Sequence, residues 1–386
     1  MKKGLALMVL AVFMLTMVAG CGSKAANKDA AAPEVIKIGV FEPMTGEKAA
    51  GGEQTVEGIK LANELYADVL GKKVEVVYTD NKSDKAEAKN AVTRLIQSDK
   101  VVAIIGSYGS ALSMAAGDTV KQAKVPAVGC SPTNPLVTQG NEYYFRVCFI
   151  DPFQGTVMAK YAVNEKKAKT AAIIRNASDD YSVGLCKYFQ DAFVKLSGNP
   201  NAILTTLDYQ NGSQDFTAQL TTIKQKNPDI IFAPGNYGDG ALMIKQARGM
   251  DIKQPFLGGD TWEAPEFIQI GGAAVEGVAF STHYSKDAAA VTDMSKTFVE
   301  KYKAKYNKEP NAFAALGFDA YMVILDAIKR ADSADSVKVR DALATTKDFQ
   351  GATGIITLDA NRDASKSAVI LEVNGGAFKY LTTVNP

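Results

Sequence analysis

From Val35 onward the chain alternates short apolar runs with amphipathic ones, and that alternation leaves few folds open. Segments 35–41, 74–78, 101–105 and 126–129 read as strands. Between them, segments 54–70, 85–98 and 111–123 read as helices. The first carries Ile59, Ala62, Tyr66 and Val69 at helical spacing, the second Ala88, Val92, Leu95 and Ile96. Strand runs this continuously apolar suit sheets covered on both faces, so the class is α/β with parallel-type central sheets. After Asp151-Pro152 the pattern restarts, with a helix from Gln154, strands at 170–174, 202–207, 229–233 and 255–258, and helices at 183–196 and 216–226. A second lobe thus repeats the first. The runs VVAIIGSYG at 101–109 and IIFAPGNYG at 230–238 support duplication, each placing glycine, a polar residue and tyrosine just past a strand. Helices at 291–306 and 312–331 and the closing segment 353–383 are expected to complete these two lobes.

The first 21 residues have a different character. Lys2-Lys3 precedes an apolar run from Gly4 to Met17, broken only by Thr16, and Val18-Ala19-Gly20 leads to Cys21. The run is short for a permanent span, which needs about 20 residues, and small residues follow it as at a cleavage site. Residues 1–20 therefore read as a lipoprotein signal peptide, with Cys21 as the lipidated residue. Residues 21–33, small and polar, read as the lipidated cysteine and a flexible stalk. The mature chain is then expected outside the cytoplasm, tethered to a membrane face. About 350 residues remain, enough for two lobes.

Charge is nearly balanced, with 43 Lys and Arg against 42 Asp and Glu, which gives no basic footprint for nucleic acid. Of the four cysteines, Cys130, Cys148 and Cys186 remain beyond Cys21, so at most one disulfide forms among them. Cys130 with Cys148 is the candidate pair. The single histidine, His283, lies away from any G-x-S-x-G elbow, and no such elbow occurs. Phosphate-loop, H-E-x-x-H and cysteine-histidine metal spacings are absent as well. These absences argue against an enzyme and against a metal or cofactor site.

In open parallel sheets, ligands bind beyond the carboxyl ends of the strands. The polar residues there are Ser107, Tyr108 and Ser110 after one strand and Ser131 and Thr133 after the next. In the second lobe they are Tyr181, Asn236, Tyr237 and Asp260. Hydroxyls gather on one side and a carboxylate on the other, which suits a zwitterion. Ser110 stands where a helix begins, so free amides and the positive helix end face whatever sits before it. Taken alone, Ser110 reads first as a helix cap, and only the joint placement of these residues at several strand ends favours a binding role.

The ordered motifs IIGSYGS, PAVGCSPTNP, DDYSVG, DFTAQL, GNYGDG and FLGGDTW, behind the signal and stalk, resemble those of the branched-chain amino-acid-binding proteins of ABC importers. The likeness runs from about Val35 to Val373. It implies a type I periplasmic binding protein, with two Rossmann-like lobes, a three-strand hinge near Ile150, His283 and Val369, and the ligand cleft between the lobes. The lobes would be 34–150 plus 283–368 and 151–282 plus 369–386. By the same likeness, Ser110 holds the ligand carboxylate, the Ser131 carbonyl takes the ammonium and Thr133 touches both ends. Tyr181 and Tyr237 close over the ligand, and Asp260 pairs with the ammonium where the best-known members carry glutamate. Gly51 stands where some relatives place an aromatic residue, which would widen the pocket, with Trp262 and Phe313 as candidates to refill it. The implied partners are an amino acid, a permease with its ATPase subunits and, through Cys21, a membrane; the chain is expected to act as a monomer. Amides, short peptides and aromatic acids remain alternative ligands, and a sensor remains an alternative to a transporter.

Overall fold

The computed structural model describes residues 35–288 and 292–386, and the expected signal peptide, Cys21 and stalk lie outside them. Two sheets organise the chain. The first contains β1 (Val35–Glu42), β2 (Asp68–Val69), β3 (Lys72–Asp80), β4 (Ala103–Ile105), β5 (Ala127–Gly129) and β6 (Tyr144–Arg146), in the order β2-β3-β1-β4-β5-β6. The second contains β7 (Ala171–Asn176), β8 (Ile203–Tyr209), β9 (Ile230–Phe232), β10 (Phe256–Gly258) and β11 (Ala279–Thr282). A separate hairpin, β12 (Phe349–Gly351) and β13 (Gly354–Ile356), precedes β14 (Ala368–Val373) and β15 (Phe378–Val384). These last two join the second sheet, whose order is β15-β14-β11-β10-β9-β7-β8.

Both sheets are parallel in their centres and antiparallel at one edge, where β2 meets β3 and where β14 meets β11 and β15. The departure from a purely parallel reading has a local cause. The expected first helix was carried through to Leu70, but α1 (Ala49–Leu65) stops five residues earlier, and Asp68–Val69 folds back onto β3 through a tight turn at Leu70-Gly71. Helix α1 also starts before Gln54, running through Gly51-Gly52. Strand β6 has three residues and no alternation to announce it.

Helices cover the sheets on both faces. Around the first lie α1, α2 (Lys85–Gln97) and α3 (Ser110–Ala123); around the second lie α4 (Asp151–Asn164), α5 (Asp180–Ser197), α6 (Thr217–Lys226), α7 (Tyr237–Gly249) and α8 (Pro265–Gly271). Two of these start earlier than expected: α4 opens at Asp151 with Pro152 in its first turn, and α5 opens at Asp180, capped by Asp179, which accepts from the amide of Tyr181. Helix α9 (Asp293–Tyr306) and α10 (Ala312–Ala331) return to the first sheet, and α11 (Ser336–Ala344) follows them. Phe318, Tyr321, Ile324 and Ile328 of α10 share one core with Ile36, Val40 and Ile59. Burying each such side chain contributes roughly 1.5–3 kcal/mol. Among the described residues no helix is long and apolar enough to cross a membrane.

Cys130, Cys148 and Cys186 are all free and buried, so the expected Cys130–Cys148 pairing is not made. Burial pushes all three thiols above their ordinary pKa. The loop behind β5 is held instead by Arg146, whose side chain is fully buried. Its Nη1 donates to the carbonyls of Pro132 at 2.7 Å and Asn134 at 2.9 Å, and its Nη2 to Thr138 Oγ1 at 2.7 Å. Its Nε donates to Asp363 Oδ1 at 2.6 Å, tying this loop to a segment more than 200 residues away. Removing one partner of a buried, hydrogen-bonded ion pair typically costs about 3–5 kcal/mol. Arg146→Leu is therefore expected to lose stability on that scale in urea unfolding; a loss under about 1 kcal/mol would show that the clamp is not structural.

Candidate ligand-binding site

The carboxyl ends of the two sheets face each other across a narrow cavity of about 10 Å³. That is room for about one water, so an amino acid fits only once the two sides draw apart. Tyr108, Ser110 and Ser131 line it from the first sheet, and Tyr181, Asn236, Asp260 and Thr261 from the second.

On the first side, Gly109 rather than Ser110 caps α3, at φ +91°, a conformation that side chains other than glycine rarely adopt. Ser110 is thus the first helical residue, and its hydroxyl makes no cap bond; it accepts from the amide of Asn134 at 3.1 Å and steadies the neighbouring loop. The cap reading of Ser110 is thereby replaced. Ser131 Oγ and Thr133 Oγ1 are buried without partners among the described residues. Thr133 sits one step deeper than the cavity lining, and its carbonyl accepts from the amide of Asp151 at 3.0 Å.

Tyr108 answers the question raised by Gly51. A Cβ on Gly51 would lie 2.4 Å from the Tyr108 ring, so the space left by the missing side chain is filled and the pocket is not widened there. Phe313 supports the ring edge-on, with centroids 5.0 Å apart. The Tyr108 hydroxyl has no partner among the described residues, while its amide donates to Glu42 Oε2 at 2.7 Å. Trp262 does not reach the cavity. It is fully buried, stacked on Phe267 at 4.8 Å with Phe280 edge-on, in the core of the second sheet.

On the second side, Asp260 opens a short 3-10 turn after β10, ahead of α8. Three donors converge on its buried carboxylate. Gln154 Nε2 of α4 and the Tyr181 hydroxyl of α5 each reach Oδ1 at 2.8 Å, and His283 Nε2 lies 3.2 Å from Oδ2. A carboxylate has about four acceptor positions, which leaves one for a guest. Burial lowers the His283 pKa, so the ring is neutral, with its proton on Nε2 facing Asp260. Burial, with Asp260 adding to it, raises Tyr181 well above its usual range, so it stays a donor. Burial likewise holds the neighbouring Asp151 far above the carboxylate range.

Contacts across the cavity mouth close it. Lys48 Nζ meets Asp179 Oδ2 at 3.2 Å with both side chains about nine-tenths buried. The amide of Ala50 donates to the Tyr237 hydroxyl at 3.4 Å, Asn236 Nδ2 donates to the Glu47 carbonyl, and Lys85 pairs with Asp180 at 3.0 Å. Tyr237 therefore seals the rim rather than lining the cavity, because it is the first residue of α7, whereas Tyr108 precedes α3 by two residues. Lys48, Asp179 and Gln154 escaped the sequence reading; Asp179 lies between β7 and Tyr181, and the Asp179-Asp180 pair before a helix start was its available signal.

Glu42, beneath Tyr108, has its pKa pushed up to about 8, chiefly by burial, against an ordinary value of 4.5. The folded protein thus keeps a proton that the unfolded chain releases, and stability falls as pH rises from about 4.5 to about 8. Glu263 shares this behaviour. Glu42→Gln is expected to flatten part of the decline between pH 5 and pH 8 in denaturant titrations; an unchanged slope would remove Glu42 as its source.

The profile of the family described as periplasmic binding protein matches residues 35–377. The chain is 46% identical to a leucine-binding protein, LivK, of Thermotoga maritima, with a TM-score of 0.88 over 91% of this chain and 99% of that one. It is 34% identical to LivJ of Streptococcus pneumoniae, solved in complex with isoleucine, with a TM-score of 0.85 over 91% and 100% of the two chains. It is also 29% identical over 338 residues to Leu/Ile/Val-binding protein homolog 3 of Brucella melitensis, covering 86% of this chain and 89% of that protein.

Proposed function

The chain belongs to the periplasmic binding protein family, and from that premise we propose that it captures a branched-chain amino acid, leucine, isoleucine or valine, outside the cytoplasm and delivers it to an ABC permease. The observation that carries the reading is the pairing, inside one closed cavity, of the Ser110 and Ser131 hydroxyls with an Asp260 carboxylate that has one acceptor position left. The ligand carboxylate lies toward Ser110, Thr133 and the start of α3, where the helix end favours an anion. The ammonium lies against Asp260 and the carbonyl of Ser131. The aliphatic side chain packs toward the Tyr108 ring, which Gly51 leaves room to lie flat on α1.

In this reading the lobes are residues 34–150 with 283–368 and 151–282 with 369–386. A ligand touching both has greater affinity for the closed arrangement and shifts the population toward it. The protein itself catalyses nothing; a permease reads the closed surfaces, and its ATPase subunits supply the energy. Cys21 and its lipid hold the monomer at the membrane face.

Isothermal titration of refolded, ligand-stripped protein tests the assignment. Leucine, isoleucine or valine should bind tightly and in preference to amides and aromatic acids; heat with those alone would overturn the ligand class. Asp260→Ala should weaken amino-acid binding at least about tenfold, because a buried ammonium loses its partner, and unchanged affinity would take Asp260 out of the site. Gly51→Ala forces the Tyr108 ring to move, and overpacking of that kind costs about 1–3 kcal/mol. It should therefore weaken leucine more than valine in the same titration, and equal loss for both would place the side chain elsewhere.

A further inference from the structure

A second crevice, of about 590 Å³, lies between the β12–β13 hairpin and strands β14 and β15. Ile355 of β13, from the hairpin packed into the first-sheet core, forms one wall. Val369 of β14 and Tyr380 and Thr383 of β15 form the other, and His283 and Lys366 close the inner end. The crevice shares no lining residue with the ligand cavity.

Two buried polar residues line it. His283 is 3% exposed, and its Nδ1 has no partner among the described residues. Because Nε2 serves Asp260, the neutral ring leaves Nδ1 an unmet acceptor on a residue that lines the crevice. An unmet buried acceptor costs about 1–3 kcal/mol, so the position favours a donor. Lys366, 6% exposed, donates to Thr353 Oγ1, and an ammonium has three donors. Burial lowers its pKa to about 8, with Asp319 opposing, so it is charged at neutral pH. A cation and an acceptor at one end of an apolar-walled crevice match a carboxylate with a donor on the neighbouring carbon and an aliphatic tail.

We propose that this crevice is a second small-molecule site, for an aliphatic carboxylate bearing an adjacent hydroxyl or amino group. The carboxylate meets Lys366, the donor meets His283 Nδ1, and the tail lies along Ile355, Val369 and Tyr380. Such a guest touches the β12–β13 hairpin and the second sheet and reaches Asp260 through a single ring, so the two sites are linked without sharing a residue.

Saturation-transfer NMR with 2-hydroxy-4-methylpentanoate tests the proposal on the mature protein. The signal is expected to persist under saturating leucine, which fills the cavity. It should fall at least fivefold in Lys366→Met. It should fall equally in Thr383→Trp, a change on a half-buried strand edge that fills the crevice and leaves leucine titration unchanged. Absence of signal, loss of signal with leucine, or retention in Thr383→Trp would each overturn the second site. Failure of leucine to bind at all would sink the cavity assignment alone, since the Thr383→Trp comparison needs no leucine.

Discussion

A negative charge taken out of water and left one bond short governs this molecule. Asp260 is 1% exposed, and a carboxylate so placed would be costly unless hydrogen-bonded. Gln154, Tyr181 and His283 meet that cost from three parts of the chain, and each must be held in turn. Tyr181 is fixed by the start of α5, where Asp179 accepts its amide; Gln154 is fixed by the early start of α4; His283 is fixed by a ring contact with Phe149, centroids 3.9 Å apart. The second sheet and its crossings thus share the task of presenting one unfilled acceptor position.

The neighbouring acids are not alike. Glu42, Asp151 and Glu263 are buried, and burial raises all three toward the protonated form. Asp260 differs in its ring of donors, and Asp179 in its pairing with Lys48. A carboxylate facing hydroxyls and a helix start suits a molecule with both signs of charge.

Much of this was legible in the sequence, and the failures have physical causes. Strand and helix existence followed from periodicity, because continuous apolar runs and i, i+3, i+4 spacing report burial directly. Boundaries failed where three-dimensional contacts decided them: α1 gained five residues through Gly51-Gly52 and yielded its expected end to β2, and β6 was too short to show a period. Residues following strands directly, Ser110, Ser131, Tyr181 and Asp260, came together as expected. Trp262 did not, since its size favoured the core, and Tyr108 took the space instead. Lys48, Gln154 and Arg146 were invisible because their roles depend on partners between 100 and more than 200 residues away.

The Lys48–Asp179 pair across the cavity mouth also bears on how an idle copy behaves. Each charge must shed water before the two can meet in so buried a place, and that penalty offsets most of their attraction. The pair therefore adds orientation without much pull of its own. On the proposed reading, an empty molecule gains little by shutting, and the loaded form alone presents the shape its partner recognises. The pair would act as a safeguard against false alarms, keeping unloaded copies from occupying the transporter and prompting futile cycles of hydrolysis on the far side of the membrane.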